Sequence, residues 1–393
     1  MPKTDPQDVN QQVEAHFTPE MEERGVSRRD FLKFCTAMAA SLAMPFSFAP
    51  AIAQAVTDPK RPPVIWLHFQ DCTACTETLL RSFHPTVEQL VLDTISVDYL
   101  ETIMAAAGHQ AEAAKEASLK ENAGNYILIV EGSIPTKDDG IYCKIAGKTA
   151  LEHLEETVPN AGALIAIGSC ASWGGIPSSA PDPTGAKGLS EVYPDETVIN
   201  LPGCPPNSYN LLQTIVYYLT LNKLPDLTDK SRPKFAYGTL IHENCERRPH
   251  FDNGRFAEQF GDSGHMNGWC LYKLGCKGPE TYNNCPALGF NDVGANSWPV
   301  GTGHPCFGCS EEEIAFTVPM HQQSNVTTPA PPALFPRIVE EQGEGVNAGG
   351  AAIVGGIVGA AAGAAAMMAK RLQERDQLEE KMKNAQQQDN PEE

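Results

Sequence analysis

Positive charge is scarce in this chain. Lys and Arg number 29 against 49 Asp and Glu, and the formal net charge is −20. That excludes a general binder of nucleic acid, which needs a basic face to neutralise phosphates. Residues 235–320 have little hydrophobic periodicity; Gly, Pro and Asn stand where aliphatic runs would be. Such a segment cannot bury a good apolar core alone and has to be stapled by something else. Residues 310–345 are polar and Pro-rich and carry no element signal. Cysteine, by contrast, is plentiful: 12 in 393 residues, grouped at short spacings, which suggests metal ligands or disulfides. Hydrophobic content of 41% and charged content of 20% are ordinary for a globular protein. The length allows two domains once terminal segments are set aside.

The N-terminus bears on the choice between metals and disulfides. Ser27-Arg28-Arg29-Asp30-Phe31-Leu32-Lys33 precedes an apolar stretch from Phe34 to Phe48, and Ala51-Ile52-Ala53-Gln54-Ala55 supplies small residues in A-x-A spacing. A basic patch, an apolar region and small residues make a secretory signal; the paired arginines followed by Phe-Leu-Lys read as the twin-arginine (Tat) type. The competing reading is a buried helix with a basic start. Tat cargo crosses the membrane already folded, often with a cofactor in place, and a disulfide protein has no need of that route. The leader therefore favours metal clusters. Residues 1–55 are expected to be removed, Cys35 with them.

The rest is organised around Val64-Ile65-Trp66-Leu67-His68-Phe69, an apolar strand pattern that runs into Asp71-Cys72-Thr73-Ala74-Cys75. A helical pattern follows through Leu79, Leu80, Phe83, Val87, Leu90 and Val91. Further strands are predicted at 94–100, 126–130, 163–167 and 197–201, with helices at about 102–121, 148–157 and 207–221. Continuous apolar strands alternating with helices predict a parallel sheet covered on both faces, hence an α/β domain over 56–222. The first, fourth and fifth strands each enter a loop carrying cysteine: Cys72 and Cys75, then Cys170, then Cys204. In a parallel sheet those strand ends share one edge, where ligands bind. Cys-x-x-Cys alone would equally suit a redox pair or a disulfide; four converging thiolates suit a 4Fe-4S cluster or a structural zinc. Gly168, Gly203 and Pro205 leave room for backbone near the sulfurs.

A polar, Pro-containing stretch from Asn222 to Lys234 marks a domain boundary. Beyond it stand His242, Cys245, Cys270, Cys276, Cys285, Cys306 and Cys309. One His with three Cys can close a four-ligand site. The other three Cys leave one corner without a protein thiolate, which a three-iron cluster would fit; a zinc would need His304 as a fourth ligand. His250 and His265 read as packing or surface residues, and Cys143 as a small buried hydrophobe. Residues 321–345 read as a linker. An uncharged segment of mostly Gly, Ala, Ile, Val and Met, about Val346 to Ala369, gives a possible anchor over 346–370 and is bounded by Glu341 and Glu344 before it and by Lys370 and Arg371 after it. Its length suits a membrane span, Gly355, Gly359 and Gly363 forming a packing face and the basic end lying in the cytoplasm. The competing reading is an Ala-rich surface helix. Residues 371–393 read as a charged tail.

Six motifs in order then carry a family resemblance: Asp71-Cys-Thr-Ala-Cys75-Thr-Glu77, Gly168-Ser-Cys170-Ala-Ser-Trp-Gly174, Pro202-Gly-Cys204-Pro-Pro206, His242-x-x-Cys245-Glu-Arg-Arg248, Cys270-Leu-Tyr-Lys-Leu-Gly-Cys276-Lys-Gly and Cys306-Phe-Gly-Cys309. From about residue 62 to 320 the chain resembles the small subunit of NiFe hydrogenases, in their membrane-bound periplasmic, uptake form. The resemblance implies a flavodoxin-like sheet followed by an irregular, cluster-stapled domain over 235–320. It implies three clusters in line: a proximal 4Fe-4S on Cys72, Cys75, Cys170 and Cys204; a medial 3Fe-4S on Cys285, Cys306 and Cys309, with Pro299 where a fourth cysteine would otherwise stand; and a distal 4Fe-4S on His242, Cys245, Cys270 and Cys276. The nickel–iron centre, in that case, belongs to a large-subunit partner, and electrons from hydrogen leave through the clusters to a membrane cytochrome or another periplasmic or membrane carrier. Oxygen-tolerant members carry two extra cysteines near the proximal cluster; Ala74 and Gly175 stand at those positions, implying the standard, oxygen-sensitive class. Glu77 is a candidate for proton transfer or for contact with the large subunit, or else a first-turn helix charge. A stand-alone periplasmic iron–sulfur carrier is the alternative function, and a zinc-stapled binding module a further one.

Overall fold

The computed structural model describes residues 5–23, 25–42, 44–58, 62–82, 95–290, 297–333 and 335. Five parallel strands form one sheet: β1 (Pro63–His68), β2 (Ser96–Leu100), β3 (Tyr126–Glu131), β4 (Ala161–Ile167) and β5 (Val198–Leu201), in the order β2-β1-β3-β4-β5. This is the flavodoxin-like order, whose winding reverses between β1 and β3. The loops after those two strands therefore diverge and leave a crevice at the carboxyl edge.

Alternation along the strands divides the sheet into two buried faces. Val64, Trp66, Ile127, Ile129, Ile165 and Ile199 share one core with Leu211, Leu212, Ile215 and Val216 of the helix Ser208–Leu221. Ile65, Leu67, Leu128, Val130, Leu164 and Val198 face the other way, onto Ala150 and Leu154 of the helix Ala150–Thr157. That helix begins with a capping box between Thr149 and Glu152, which satisfies two otherwise orphaned N–H groups. The helix behind the Cys-x-x-Cys loop, Ala74–Leu80, is described only that far; the positions Phe83, Val87, Leu90 and Val91 of the longer pattern lie outside the described residues. The helix expected over 102–121 begins later, at His109.

The N-terminal segment, expected to be removed, is present in this chain and forms helices Pro6–Glu14, Arg28–Ser41 and Ala49–Val56, which pack on the sheet domain. Val9, Val13, Phe31, Cys35, Met38, Ile52 and Val56 are buried in the same core as Trp66 and Leu212. The physical reason is the segment's own apolar face, which gains by covering nearby aliphatic surface. Among the described residues no helix is long and apolar enough to cross a membrane; the candidate span at 346–370 and the tail at 371–393 lie outside them.

After the helix Ser208–Leu221 the chain forms short turns around a small third core. Four of its members are cysteines, Cys245, Cys276, Cys285 and Cys306, and they pack with Ile241, Leu271, Leu274, Trp298 and Val300. Residues 321–333, predicted as linker, form a strap against this region: Ser324 donates to Cys276 O at 2.9 Å, and Arg248 Nη2 reaches the carbonyls of Thr328 and Ala330 at 3.0 and 2.7 Å. The connector and the C-terminal region are joined by an ion pair between Arg232 and Glu311 at 2.6 Å, with side chains only 4% and 6% exposed. Glu311 also accepts the Tyr282 N–H at 2.8 Å. Removing one member of such a pair leaves a buried charge uncompensated, at a cost of about 3–5 kcal/mol. Glu311→Gln is therefore expected to lower the thermal unfolding midpoint of the cluster-loaded protein markedly. Glu313→Gln, at an exposed carboxylate 3.0 Å from Lys230, is expected to change it little.

Candidate iron–sulfur sites

The first site is assembled at the crevice from three strand ends. β1 ends at His68, and the loop turns sharply through Thr73, whose φ is +63. Asp71 Oδ2 stabilises the turn by accepting the Thr73 N–H at 3.2 Å. β4 leads through Gly168 (φ +85) into Cys170, and β5 leads through Pro202-Gly203 into Cys204. Gly168 is required here: a Cβ at that position would lie 2.5 Å from Cys75 Sγ. The Gly203 carbonyl accepts the Ser169 N–H at 2.9 Å, which holds the two loops side by side. Cys72, Cys75, Cys170 and Cys204 face one another closely enough that each of the other three thiolates disfavours ionisation of Cys75.

Burial is the main cause of the raised pKa at these thiols, pushing Cys170 up to about 11 and Cys75 well above the ordinary value. Cys72 is the exposed member of the set. Ala74 lies in the first turn behind it. At Gly175 the backbone has φ +56, and a Cβ would come 2.7 Å from Cys170 Sγ.

A buried network beneath Cys75 was not foreseen from the sequence. Glu131, 1% exposed at the end of β3, accepts the Cys75 N–H at 3.0 Å, the Thr76 hydroxyl at 2.6 Å and the Trp66 indole N–H at 3.1 Å. Burial raises its pKa, opposed by the Thr76 hydrogen bond and by His68. His68 Nδ1 lies 2.7 Å from Asp71 Oδ2, and its Nε2 is 3.1 Å from the Thr102 hydroxyl. Burial works against protonation of His68, but Asp71 and Glu131 outweigh it and its pKa ends above the usual value. Ligand atoms of His68, Asp71 and Glu131 fall within 4.8 Å of one another, already engaged in these hydrogen bonds. A signal for Glu131 was present: a carboxylate ending a continuous apolar strand at the ligand-binding edge. Glu77, by contrast, is exposed and lies 3.9 Å from Arg81, a surface pair of small energetic consequence.

The second and third sites are two small cavities in the C-terminal region. One, of about 20 Å³, is lined by His242, Cys245, Cys270 and Cys276 together with Arg247 and Arg248. The other, also of about 20 Å³, is lined by Cys285, Cys306 and Cys309 with Pro299, Trp298 and Phe290. Ile241 lines both. His242 is 5% exposed, its Nε2 has no hydrogen-bond partner among the described residues, and its ring is held edge-on to Phe251 at 4.5 Å. Burial, then Arg248, lowers its pKa to about 4, so it is a neutral imidazole with a free lone pair. Burial likewise pushes the thiols of Cys270 and Cys309 up to about 12. His304 is exposed, bonds to the Pro305 carbonyl and does not line the second cavity. His265 bonds to Gly303 O, and Cys143 packs at the edge of the second sheet core.

Backbone amides point at these sulfurs. The Arg247 N–H donates to Cys245 Sγ at 3.4 Å and the Cys306 N–H to Cys276 Sγ at 3.4 Å, the latter joining the two cavities. The Ser169 hydroxyl, next to Cys170, donates to the Cys309 carbonyl and joins the first site to the cavity of Cys309. Soft sulfur donors, an unpartnered imidazole, donors aimed at sulfur and a cavity closed by apolar residues suit an iron–sulfur cluster.

The comparisons agree with this geometry. Residues 237–321 match the C-terminal family model of the NiFe/NiFeSe hydrogenase small subunit, and residues 72–218 match that of the NADH ubiquinone oxidoreductase 20 Kd subunit. The chain is 54% identical over 332 residues to the Hydrogenase-2 small chain of Escherichia coli strain K12, covering 84% of this chain and 89% of that one. The chain belongs to the NiFe hydrogenase small subunits. It is also 52% identical to the periplasmic NiFe hydrogenase small subunit 1 of Nitratidesulfovibrio vulgaris, over 74% of this chain and 91% of that one. With the quinone-reactive Ni/Fe-hydrogenase small chain of Wolinella succinogenes it shares 46% identity over 75% and 83% of the two chains. A chain of the solved Ni-Fe-Se hydrogenase from Desulfomicrobium baculatum superposes with a TM-score of 0.63 at 34% identity, covering 67% of this chain and all of that one. As a hydrogenase small subunit, the chain is the electron-transfer part of an oxidoreductase acting on hydrogen, completed by a large subunit, and membership implies iron–sulfur clusters.

Because thiols pushed up by burial stay protonated at neutral pH, metal-stripped protein should alkylate unevenly. Iodoacetamide at pH 8 is expected to label exposed Cys72 first. Cys170, Cys270 and Cys309 should label slowly and speed up as the pH climbs towards 11, a pattern peptide mass spectrometry can resolve.

Proposed function

We propose that the three sites hold a proximal 4Fe-4S cluster on Cys72, Cys75, Cys170 and Cys204, a medial 3Fe-4S cluster on Cys285, Cys306 and Cys309, and a distal 4Fe-4S cluster on His242, Cys245, Cys270 and Cys276. The observation that carries the reading is the pair of closed cavities, each lined by one complete ligand set. The count of three cysteines around the medial cavity, with Pro299 beside them, supports the three-iron form. Bound clusters would supply one-electron redox chemistry. The chain's own residues ligate them, exclude water with Trp298, Phe290 and Leu271, and donate amide hydrogens to the sulfurs, which favours the more negative, reduced form. A neutral imidazole in place of one thiolate works in the same direction at the distal site.

In this reading hydrogen is oxidised at the nickel–iron centre of the large subunit, and the electrons leave this chain for a membrane cytochrome or another membrane or periplasmic acceptor. The quinone-reactive relative supports a membrane acceptor. Export by the Tat route to the periplasmic side of the cytoplasmic membrane, with residues 1–55 removed and 346–370 as anchor, rests on the sequence signals and on periplasmic relatives. Domain limits at 56–222 and 235–320 rest on the sequence pattern, and the small separate core around Ile241, Cys245 and Cys306 supports the second of them. Ala74 and the tight fit at Gly175 support a standard proximal site that is sensitive to oxygen.

The test is the iron and acid-labile sulfide content of the purified protein, with about eleven irons per chain expected. Zinc without sulfide would sink the cluster assignment. Purification from solubilised membranes is expected to bring a nickel-containing partner and hydrogen-dependent dye reduction, lost progressively in air. Clusters without either would leave the stand-alone carrier as the better reading.

A further inference from the structure

Lys277 is a buried cation with an unusual setting. It is 1% exposed, and lysine is rarely buried to that degree without a counter-charge. Its ammonium donates to the Gln322 carbonyl of the strap; among the described residues no carboxylate forms an ion pair with it. The groups whose negative charge would act on it are Glu280 and, once ionised as ligands, Cys276 and Cys306. The two cysteines belong to different cavities. Lys277 follows Cys276 in the chain, and its N–H donates to Cys306 O at 2.6 Å, while the Cys306 N–H returns to Cys276 Sγ at 3.4 Å. Its side chain lies against Gly308, between Cys306 and Cys309, where a Cβ would be 3.3 Å from that of Lys277.

We propose that Lys277 is a positioning residue that places one positive charge between the medial and distal sites, stabilising added negative charge at both and raising both midpoint potentials together. The inference rests on the cluster assignment above. It explains the missing carboxylate: thiolate-ligated clusters are the counter-charge, and each added electron strengthens the attraction to a cation held away from water. Because Lys277 is held between Cys276 and Cys306, its effect is common to the two sites and leaves the difference between them small.

Lys277→Gln, Lys277→Arg and Glu280→Gln, each purified as the complete complex, would be compared by potentiometric titration followed by electron paramagnetic resonance, alongside iron and sulfide content. In Lys277→Gln both the medial and distal midpoints are expected to fall, with reduction of each disfavoured about tenfold, or about 59 mV for a one-electron couple. Lys277→Arg should hold both near their original values. Glu280→Gln, which removes the carboxylate acting on the same ammonium, should move both upward by less. Unchanged midpoints in Lys277→Gln with iron intact, or a shift confined to one site, would overturn the proposal. Should Lys277→Gln fail to retain iron, Glu280→Gln decides: a positive shift at both sites supports the shared charge and no shift refutes it. A low iron count in the unaltered protein would instead overturn the cluster assignment.

Discussion

Sulfur ligands withdrawn from water, without a place for their charge until metal arrives, are the constraint on which the rest of the structure turns. An ionised thiolate in a low-dielectric interior is costly. Burial accordingly holds Cys170 at about 11 and Cys270 and Cys309 at about 12, so that the free groups keep their protons at neutral pH. In the proposed reading cluster binding would displace those protons and couple metal affinity to folding. This is why residues 235–320 can be ordered with so little aliphatic sequence. Cys245, Cys276, Cys285 and Cys306 are themselves members of the third core, and the ligands do structural work that Leu and Val do in the sheet domain.

The two halves meet the constraint by different means. In the sheet domain regular structure delivers the ligands: parallel strands end on one edge, and the crevice between β1 and β3 receives Cys72 and Cys75 from one side and Glu131 from the other. Regularity fixes the positions, so a few glycines suffice for close approach. In the C-terminal region short turns deliver the ligands, and order depends on hydrogen bonds between segments distant in sequence. The Arg232–Glu311 pair and the strap from Gln322 to Ala330 anchor turns that have no ladder of their own. Hydrogen bonds join the sites: the Ser169 hydroxyl with the Cys309 carbonyl, then the Cys306 N–H with Cys276 Sγ.

Much of this was legible beforehand. Val64–Leu67, Tyr126–Val130 and Ala163–Ile167 announced buried parallel strands by unbroken apolar runs, and the cysteines after the first, fourth and fifth strands marked the ligand edge. Local spacing separated His242 with its three cysteines from the remaining three. Glu131 escaped notice because its partners, Cys75 and Trp66, are brought near only by the β1–β3 pairing. The N-terminal segment was read from its paired arginines, apolar stretch and small residues, which are silent on which surface its apolar face covers in this chain.

The sequence by itself determined the elements, the identity of the sulfur and imidazole donors and the family, because periodicity and ligand spacing are local properties of the chain. Tertiary structure alone decided what surrounds those donors. It set Glu131 under Cys75, closed two cavities around the ligand sets, left His242 Nε2 unpartnered and laid Lys277 between Cys276 and Cys306. Such contacts join residues remote in sequence, and their energies depend on exclusion of water, which exists only once the chain has folded.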